Sequence, residues 1–441
     1  MKFGPALMQQ ADALACFSED APRVTRTYLS AEHQAAGNYL IGLMHEAGMQ
    51  AAFDALGNIV GRYAAAETDD AGTRTSPNST PVVMTGSHQD SVRNAGKSDG
   101  LFGILTAIAC VKDLHARGKR LPYTLEVIGF GDEEGVRFGA TLIGSKAMAG
   151  AFDPVWLDKA DAKGVTMRQA LRDFGCDPGG DPGGAPGTDV GTNDDEWRSL
   201  DRRGKNVIAF VESHIEQGPV LLNENLSVGV VTAIAGATRL RANITGLAGH
   251  AGTVPMGQRQ DALAAASEMV LFVERYCSEH KDESGLVGTV GIIEAKPGAA
   301  NVIPQDVSFT IDVRSGDDSA RRRAVASLRA QFSTIAARRK VTMELNAFYD
   351  ADAAPCDAAL QAQLARAIER QGLPLRHLPS GAGHDAMVFP AVCPTAMLFV
   401  RCGNNGISHH PDETMTVEDA EVATQVLLDF FEHFSPPGPH S

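Results

Sequence analysis

Aromatic residues make up only 6% of this 441-residue chain, and nowhere does it approach the ~18 consecutive apolar residues that a membrane-spanning helix needs. Basic charge is also short. Lys plus Arg number 39 against 54 Asp plus Glu, for a net charge of −15, so the surface field repels phosphate backbones and nucleic acid is excluded as a partner. The cysteines are an odd seven with no CxxC pair, which excludes a disulfide framework and a thiolate metal cluster and suits reduced thiols. The opening stretch MKFGPALMQQADALACFSED has no long apolar segment of the secretory kind. A soluble, cytoplasmic protein is expected, with neither membrane nor nucleic acid among its partners. What is present is apolar bulk: 44% hydrophobic residues suffice for a large core and more than one ordinary domain, and 45 glycines suit closely packed α/β layers.

Periodicity gives the organisation. A helix is expected over 31–47, with Ala35, Tyr39, Leu40, Leu43 and Met44 on one face, followed by a short strand over 58–63. A strand at 81–85, a helix over 101–114 and a strand over 124–130 make a βαβ unit, hence parallel strands. Functional groups gather beyond the carboxyl ends of such strands, and the polar clusters GSHQD and GDEEG follow these two directly. Residues 67–79 read as a polar loop, and 177–204, rich in Gly, Pro and Asp, as an exposed insertion without chemistry. Then come strand 240–245, helix 258–280, strands 286–293 and 307–313, helix 319–337 and strand 341–348, a βαββαβ order that predicts a ferredoxin-like domain. Helix 358–371, strand 395–400 and helix 417–434 return to the first domain. The expected division is a catalytic domain over 1–235 and 350–441, with an inserted domain over 236–349.

Chemistry concentrates in few places. His88, Asp90 and Asp99, then Glu133 and Glu134 after the next strand, are imidazole and carboxylate groups that together suit Zn²⁺ or Mn²⁺ better than Ca²⁺. Asp99 is the candidate bridge between two ions, because one carboxylate has two oxygens. Asp90 is placed to accept the free imidazole N–H of His88 and fix its tautomer. Glu133 and Glu134 repel without a cation; one can ligate while the other serves as base. Capping of a loop or a solvated acidic turn is the plainer account of Asp90 and of the glutamate pair. His214, in FVESHIEQGPV, and His409-His410, in GISHHPDE, sit in loop-like settings, and either can complete a metal shell. His250, Asn301 and Arg314 form a set able to grip a carboxylate and donate to an oxyanion. Pairing of Arg314 with Asp312 or Asp317, and a turn role for Asn301, are the structural alternatives.

TGSHQDSVRNAGKSDG, GDEEGVRF, SHIEQGP, GHAGTVPM, NVIP…FTIDVRS, SGAGHDA and ISHHPDE occur in an order and spacing that resembles the hydantoinase/carbamoylase-type amidohydrolases of the M20 metallopeptidase group, nearly end to end. The resemblance implies an α/β fold: a phosphorylase/hydrolase-like metallopeptidase domain carrying an inserted ferredoxin-like dimerisation, or lid, domain. It implies two divalent ions per subunit, Zn²⁺ or Mn²⁺, one held by His88, Asp99 and His214 and the other by Asp99, Glu134 and His409. Matching Ser-His-x-Pro places that ligand at His409 and leaves His410 as the variable position. Glu133 is implied as general base and His250 as a catalytic donor, reaching the neighbouring subunit's site together with Asn301, hence a homodimer. Gln217, Arg239, Asn301, Arg314, Gly383 and His384 are implied substrate contacts. The implied reaction is hydrolysis of a linear ureido bond in a carboxylate-bearing substrate, an N-carbamoyl-L-amino acid or allantoate, with release of ammonia and CO₂. An aminopeptidase or dipeptidase of the same group and a non-catalytic metal-binding scaffold are the competing readings.

Overall fold

The computed structural model describes residues 2–67, 80–176, 196–282 and 285–437. All but the first residue of the expected loop over 67–79, and residues 177–195 of the expected insertion, therefore lie outside the described residues. The chain divides into two compact units, one of residues 1–232, 356–378 and 384–441, the other of 233–355 and 379–383.

The first unit is built on a mixed sheet whose strands run in the order Gln50–Phe53, Ile59–Tyr63, Thr124–Phe130, Val82–His88, Val207–Ile215, Thr395–Val400, Val228–Ile234. The four central strands, from Thr124–Phe130 to Thr395–Val400, are mutually parallel, as a βαβ unit requires. Their side chains are almost wholly buried; Thr395–Val400 reads as the near-continuous apolar run of a strand covered on both faces, while Val82–His88, Thr124–Phe130 and Val207–Ile215 bury polar residues as well. The crossover helix Leu101–Ala116 is buried nearly all round, through Leu101, Phe102, Ile104, Leu105, Ile108, Val111 and Leu114. It has no side-chain N-cap; Gly100 precedes it at φ +66, and a Cβ there would meet the His88 ring at 2.5 Å. Glycine is what lets the helix start directly against that histidine. Gly86, within Val82–His88, is fixed similarly: a Cβ would fall 1.9 Å from the Ile128 carbonyl oxygen of the neighbouring strand.

Two differences from the sequence reading bear on function. His214 is not in a loop but near the end of the buried strand Val207–Ile215, a strand whose polar Glu212-Ser213-His214 run hides its apolar character. The end of the expected exposed insertion is packed: Trp197, in the short turn of helix Glu196–Leu200, lies against Phe152 with ring centroids 4.9 Å apart.

In the second unit the strands run Ile293–Lys296, Asp306–Ser315, Gly236–Thr245, Thr342–Ala351, all antiparallel, with Val287–Thr289 also on Asp306–Ser315. With helices Ala262–Glu279 and Asp318–Arg339 this is the βαββαβ order of a ferredoxin-like unit. Leu240, Ala242, Ile244, Phe309, Ile311 and Val313 pack with Met269, Val273, Leu328 and Phe332 of the helices. The first helix starts four residues later than periodicity indicates, because the Asp261 carboxylate accepts from Ala264 N at 3.0 Å and caps it there. The expected strand 286–293 is broken around Gly291 into two pieces. This unit also extends beyond 349. Fully buried Arg321 ties Asp318, Asp350 and Asp352, and Asp318 accepts from Ala353 N at 3.0 Å, holding the end of the last strand to the helix start. Residues 379–383 join it because Ser380 O accepts from Ala235 N and Gly381 O from Arg314 Nη1, both at 2.9 Å.

Candidate metal centre and active site

Four parallel strands of the first unit deliver the candidate ligands at or just beyond their carboxyl ends. His88 ends Val82–His88; Glu133 and Glu134 follow Thr124–Phe130; His214 is the last residue but one of Val207–Ile215; His409 comes in the loop after Thr395–Val400. Asp99 stands just before the crossover helix. Ligand atoms of His88, Asp99 and His214 lie within 4.8 Å of one another, and so do those of Asp99, Glu134 and His409. Asp99 belongs to both groups and divides its oxygens between them. Its Oδ1 faces His214 Nε2 at 3.3 Å and His88 Nε2 at 3.8 Å, while Oδ2 faces His409 Nε2 at 3.2 Å. His409 Nε2 is also 3.4 Å from Glu134 Oε1. His410 turns the other way, its Nδ1 accepting from Asp412 N at 3.2 Å, so the two adjacent histidines are separated by geometry.

The donor set fits a pair of divalent ions. His88 Nδ1 sits 3.0 Å from Asp90 O, and His214 Nδ1 2.8 Å from Ile215 O. Carbonyls only accept, so each ring keeps a proton on Nδ1 and turns Nε2 toward Asp99. Against its burial, the carboxylates of Asp99, Glu133 and Asp90 hold His88 well up, so without a metal a proton stands between it and Asp99, whereas neutral His214 meets Asp99 lone pair to carboxylate, an approach that is repulsive unless a cation stands between them. His214 Nε2, Asp99 Oδ2 and Glu134 Oε1 are accordingly buried without a hydrogen-bond partner. Electrostatics agree. Burial raises the carboxyls of Glu133, Asp90 and Asp132, pushes Glu134 and Asp385 to about 7 and Glu212 to about 8, and neighbouring carboxylates add to the rise in all but Asp90. Burial, helped by the charge of His88, lowers His214 to about 4. A cluster of this kind becomes comfortable only with added positive charge.

Backbone strain gathers at the same place. Asp132, Gln217 and His409 are non-glycine residues at φ +58, +55 and +56. Each such conformation costs about 1–3 kcal/mol and persists where surrounding contacts enforce it, as active sites do.

Asp90 supports the cluster differently from the expectation. The group next to the His88 imidazole is its carbonyl, whereas its carboxylate, 3.8 Å from Nδ1, accepts from Glu133 N (3.1 Å) and Glu134 N (3.2 Å). It therefore sets the turn that presents the glutamate pair. The Glu133 carboxylate comes within 4.8 Å of ligand atoms of both His88 and Glu134. Gln217 Nε2 donates to Asp99 Oδ1 at 3.1 Å and to Ser408 Oγ at 3.2 Å. His384 packs edge-on against His214, centroids 4.4 Å apart, and burial first, then the neighbouring His214 imidazole, hold its pKa well down. Sequence reasoning passed over Glu212, Asp385 and Glu413, all buried around the ligands; Glu212 accepts from Ser87 Oγ (2.7 Å) and Ala386 N (2.9 Å) beneath them.

The remaining candidates, Arg239, His250, Asn301, Arg314 and Gly383, belong to the second unit. There Asp312 accepts from Arg314 Nε (2.9 Å) and Nη2 (3.1 Å) and from Arg239 Nε (3.0 Å). The alternative pairing of Arg314 with Asp312 is thus real. It uses the Nε edge, and with Nη1 on Gly381 O each terminal nitrogen keeps a second N–H. His250 and Asn301 adjoin across a short two-stranded ladder, where Ala251 N donates to Asn301 O at 2.9 Å.

A family model described as Peptidase family M20/M25/M40 matches residues 84–433. The chain belongs to this family. It is a metal-dependent hydrolase of the M20 group. Its M20 relatives include allantoate deiminase 2 of Glycine max, 36% identical over 445 residues that cover 95% of this chain and 87% of that protein. N-carbamoyl-L-amino acid amidohydrolase of Geobacillus stearothermophilus is 37% identical over 404 residues, 92% of this chain and 91% of that one. Among solved structures, an amidase of the hydantoinase/carbamoylase family from Burkholderia multivorans superimposes with a TM-score of 0.85 at 32% identity, covering 97% of each chain. Among the described residues of this M20 chain, no helix is long and apolar enough to cross a membrane, and all seven cysteines are free.

Proposed function

We propose that this chain hydrolyses the linear ureido C–N bond of a carboxylate-bearing ureido acid, an N-carbamoyl-L-amino acid or allantoate, releasing ammonia and CO₂ in the cytoplasm. The observation that carries the reading is Asp99 shared between two ligand groups with Glu133 beside both. Relatives named for allantoate and N-carbamoyl-L-amino acid chemistry support the substrate class. Two divalent ions held by His88, Asp99 and His214 and by Asp99, Glu134 and His409, Zn²⁺ or Mn²⁺, would polarise the ureido carbonyl and lower the pKa of the attacking water.

The protein's own groups do the proton work. Glu133 takes a proton from water as its oxygen bonds to the ureido carbon, then returns that proton to the leaving nitrogen as the C–N bond breaks; the carbamic acid that remains parts at its second C–N bond into CO₂ and the other nitrogen product, so ammonia and CO₂ are both released. His250 Nδ1 accepts from Gly252 N at 3.1 Å, which leaves the imidazole proton on Nε2, ready to donate to the developing oxyanion. Gln217 and His384 orient the ureido group, Asn301 and Gly383 line the substrate, and Arg314, backed by Arg239, grips its carboxylate.

We further assign a homodimer in which the second unit supplies the interface. Its exposed apolar side chains Met256, Leu271, Ile292 and Phe348 support this, and a monomer by sedimentation would remove that part of the proposal.

Arg314→Ala is expected to raise KM by about 10- to 100-fold with kcat little changed, since the lost contact is made equally in ground and transition states. A large fall in kcat at unchanged KM would place Arg314 in the chemical step instead. The reading as a whole is tested by ammonia release from a panel of allantoate, N-carbamoyl-L-amino acids, N-carbamoyl-β-alanine and ureidoglycolate, with dipeptides followed by free amine. Turnover of a ureido acid that stops on chelation is expected; dipeptide cleavage alone, or silence with metal bound, overturns it.

A further inference from the structure

Glu413 lies four residues past His409 and belongs to neither ligand group. It is buried, at 3% exposure, and both oxygens of its carboxylate are engaged. Oε1 accepts from Ser98 N at 2.9 Å and from Asp99 N at 3.2 Å; Oε2 accepts from Ser408 Oγ at 2.8 Å. Its own N–H donates to His410 O at 3.0 Å. One carboxylate thus joins two loops more than 300 residues apart in sequence, the one that carries Asp99 and the one that carries His409.

Little regular structure holds either loop: the first has a single bridge, Ala95 to Val24, and the second one 3₁₀ turn, Asn404–Gly406. Residues 89–99 run irregularly from a strand to a helix, and 404–409 pass through left-handed backbone at Asn404, Asn405 and His409. The fit at the crossing is close: a Cβ on Gly96 would come within 2.4 Å of the Glu413 side chain, so only glycine lets the first loop seat against it. Ser408 extends the link, accepting from Gln217 Nε2 at 3.2 Å while it donates to Glu413.

We propose that Glu413 is a positioning residue for the site formed by Asp99, Glu134 and His409. It sets the 3.2 Å approach of Asp99 Oδ2 to His409 Nε2 and does not itself ligate, belonging to neither group and having both oxygens engaged by two amides and a hydroxyl. The group of His88, Asp99 and His214 depends on it less, since His88 and His214 are held by their strands and their own carbonyl contacts. The inference rests on the reading of both groups as a paired cation site.

Metal-depleted full-length wild type, E413A, E413Q and S408A, titrated with Mn²⁺ by calorimetry and electron paramagnetic resonance, test it. Wild type should take two ions and show the exchange-coupled spectrum of a Mn²⁺ pair. E413A should keep one ion at near wild-type affinity and bind the other about 10- to 100-fold more weakly, the usual cost of losing a group that supports a ligand, with an uncoupled signal at low loading. E413Q keeps an oxygen for the two amides and an N–H₂ for Ser408, and should stay nearer wild type; S408A, which cuts the tie to the His409 loop together with the Gln217 contact and leaves both amide bonds to the Asp99 loop, should weaken the same ion. Equal weakening of both ions, no weakening of either, or E413Q as impaired as E413A would overturn the proposal. Should E413A not fold by circular dichroism, E413Q and S408A decide it by the same criterion of one ion selectively weakened. A wild type that binds fewer than two ions would instead bring down the paired-site reading, and the two failures are told apart in the wild-type arm.

Discussion

Glu133→Gln is expected to lower kcat about a thousandfold, or about 4 kcal/mol of barrier, while two divalent ions stay bound and KM changes little. Glutamine preserves the volume of the half-buried side chain and removes only its ability to take a proton. The variant should not disturb its neighbour Glu134, because the Asp90 carboxylate grips the backbone N–H groups of both residues rather than either side chain. Burial, against the pull of His88 and with the help of Glu134, Asp385 and Asp90, raises the Glu133 carboxyl, so its charge opposes folding at neutral pH in the cation-free protein. Removing that charge should leave the unfolding midpoint unchanged or higher. Steady-state kinetics with metal analysis and calorimetry on one preparation supply all the readouts. A kcat within tenfold of wild type would exclude Glu133 as the base, and loss of an ion would move it into the ligand set.

The contrast between Glu133 and Glu413 shows what a sequence can carry. The candidate ligands are legible because chemistry at the ends of parallel strands leaves a local mark: His88 and the glutamate pair lie at or just beyond the ends of mainly apolar strands. Strands Thr124–Phe130 and Thr395–Val400 were legible to the residue, as short apolar runs bounded by polar residues, the first interrupted only by Glu126. Val207–Ile215 was not, because burying Glu212, Ser213 and His214 in a central strand breaks the pattern that identifies such strands. Its polar residues are satisfied from far away in sequence, Glu212 by Ser87 and Ala386. Glu413 and Ser98 are likewise partners only in three dimensions. Spacing could suggest that Asp90 served His88, two residues off; that its carboxylate instead organises residues 133 and 134 follows from the parallel pairing of their strands. Helix Gly4–Ala15 leaves a weak mark in the sequence, since its buried face consists of only Gly4, Leu7, Ala11 and Leu14.

Asp99→Ala is expected to have the other large effect, abolishing detectable turnover and leaving less than one tightly bound ion per chain. Most ligand deletions remove one corner of one site; this one removes Oδ1 from beside His88 and His214 and Oδ2 from beside His409 together. The comparison that gives the test its force is His409→Ala, which touches a single group and should keep the ion held by His88, Asp99 and His214. Stability offers an independent readout. An ion present at a hundred times its Kd stabilises the native state by about 2.7 kcal/mol, so chelation should lower the unfolding midpoint of wild type, lower that of His409→Ala less, and barely move that of Asp99→Ala. Added Mn²⁺ or Zn²⁺ should restore the first, restore the second in part and leave the third where it was. If Asp99→Ala instead binds one ion as tightly as His409→Ala does, Asp99 serves one site alone. The two ions would then be independent, and Glu133 would act at whichever of them His88 holds.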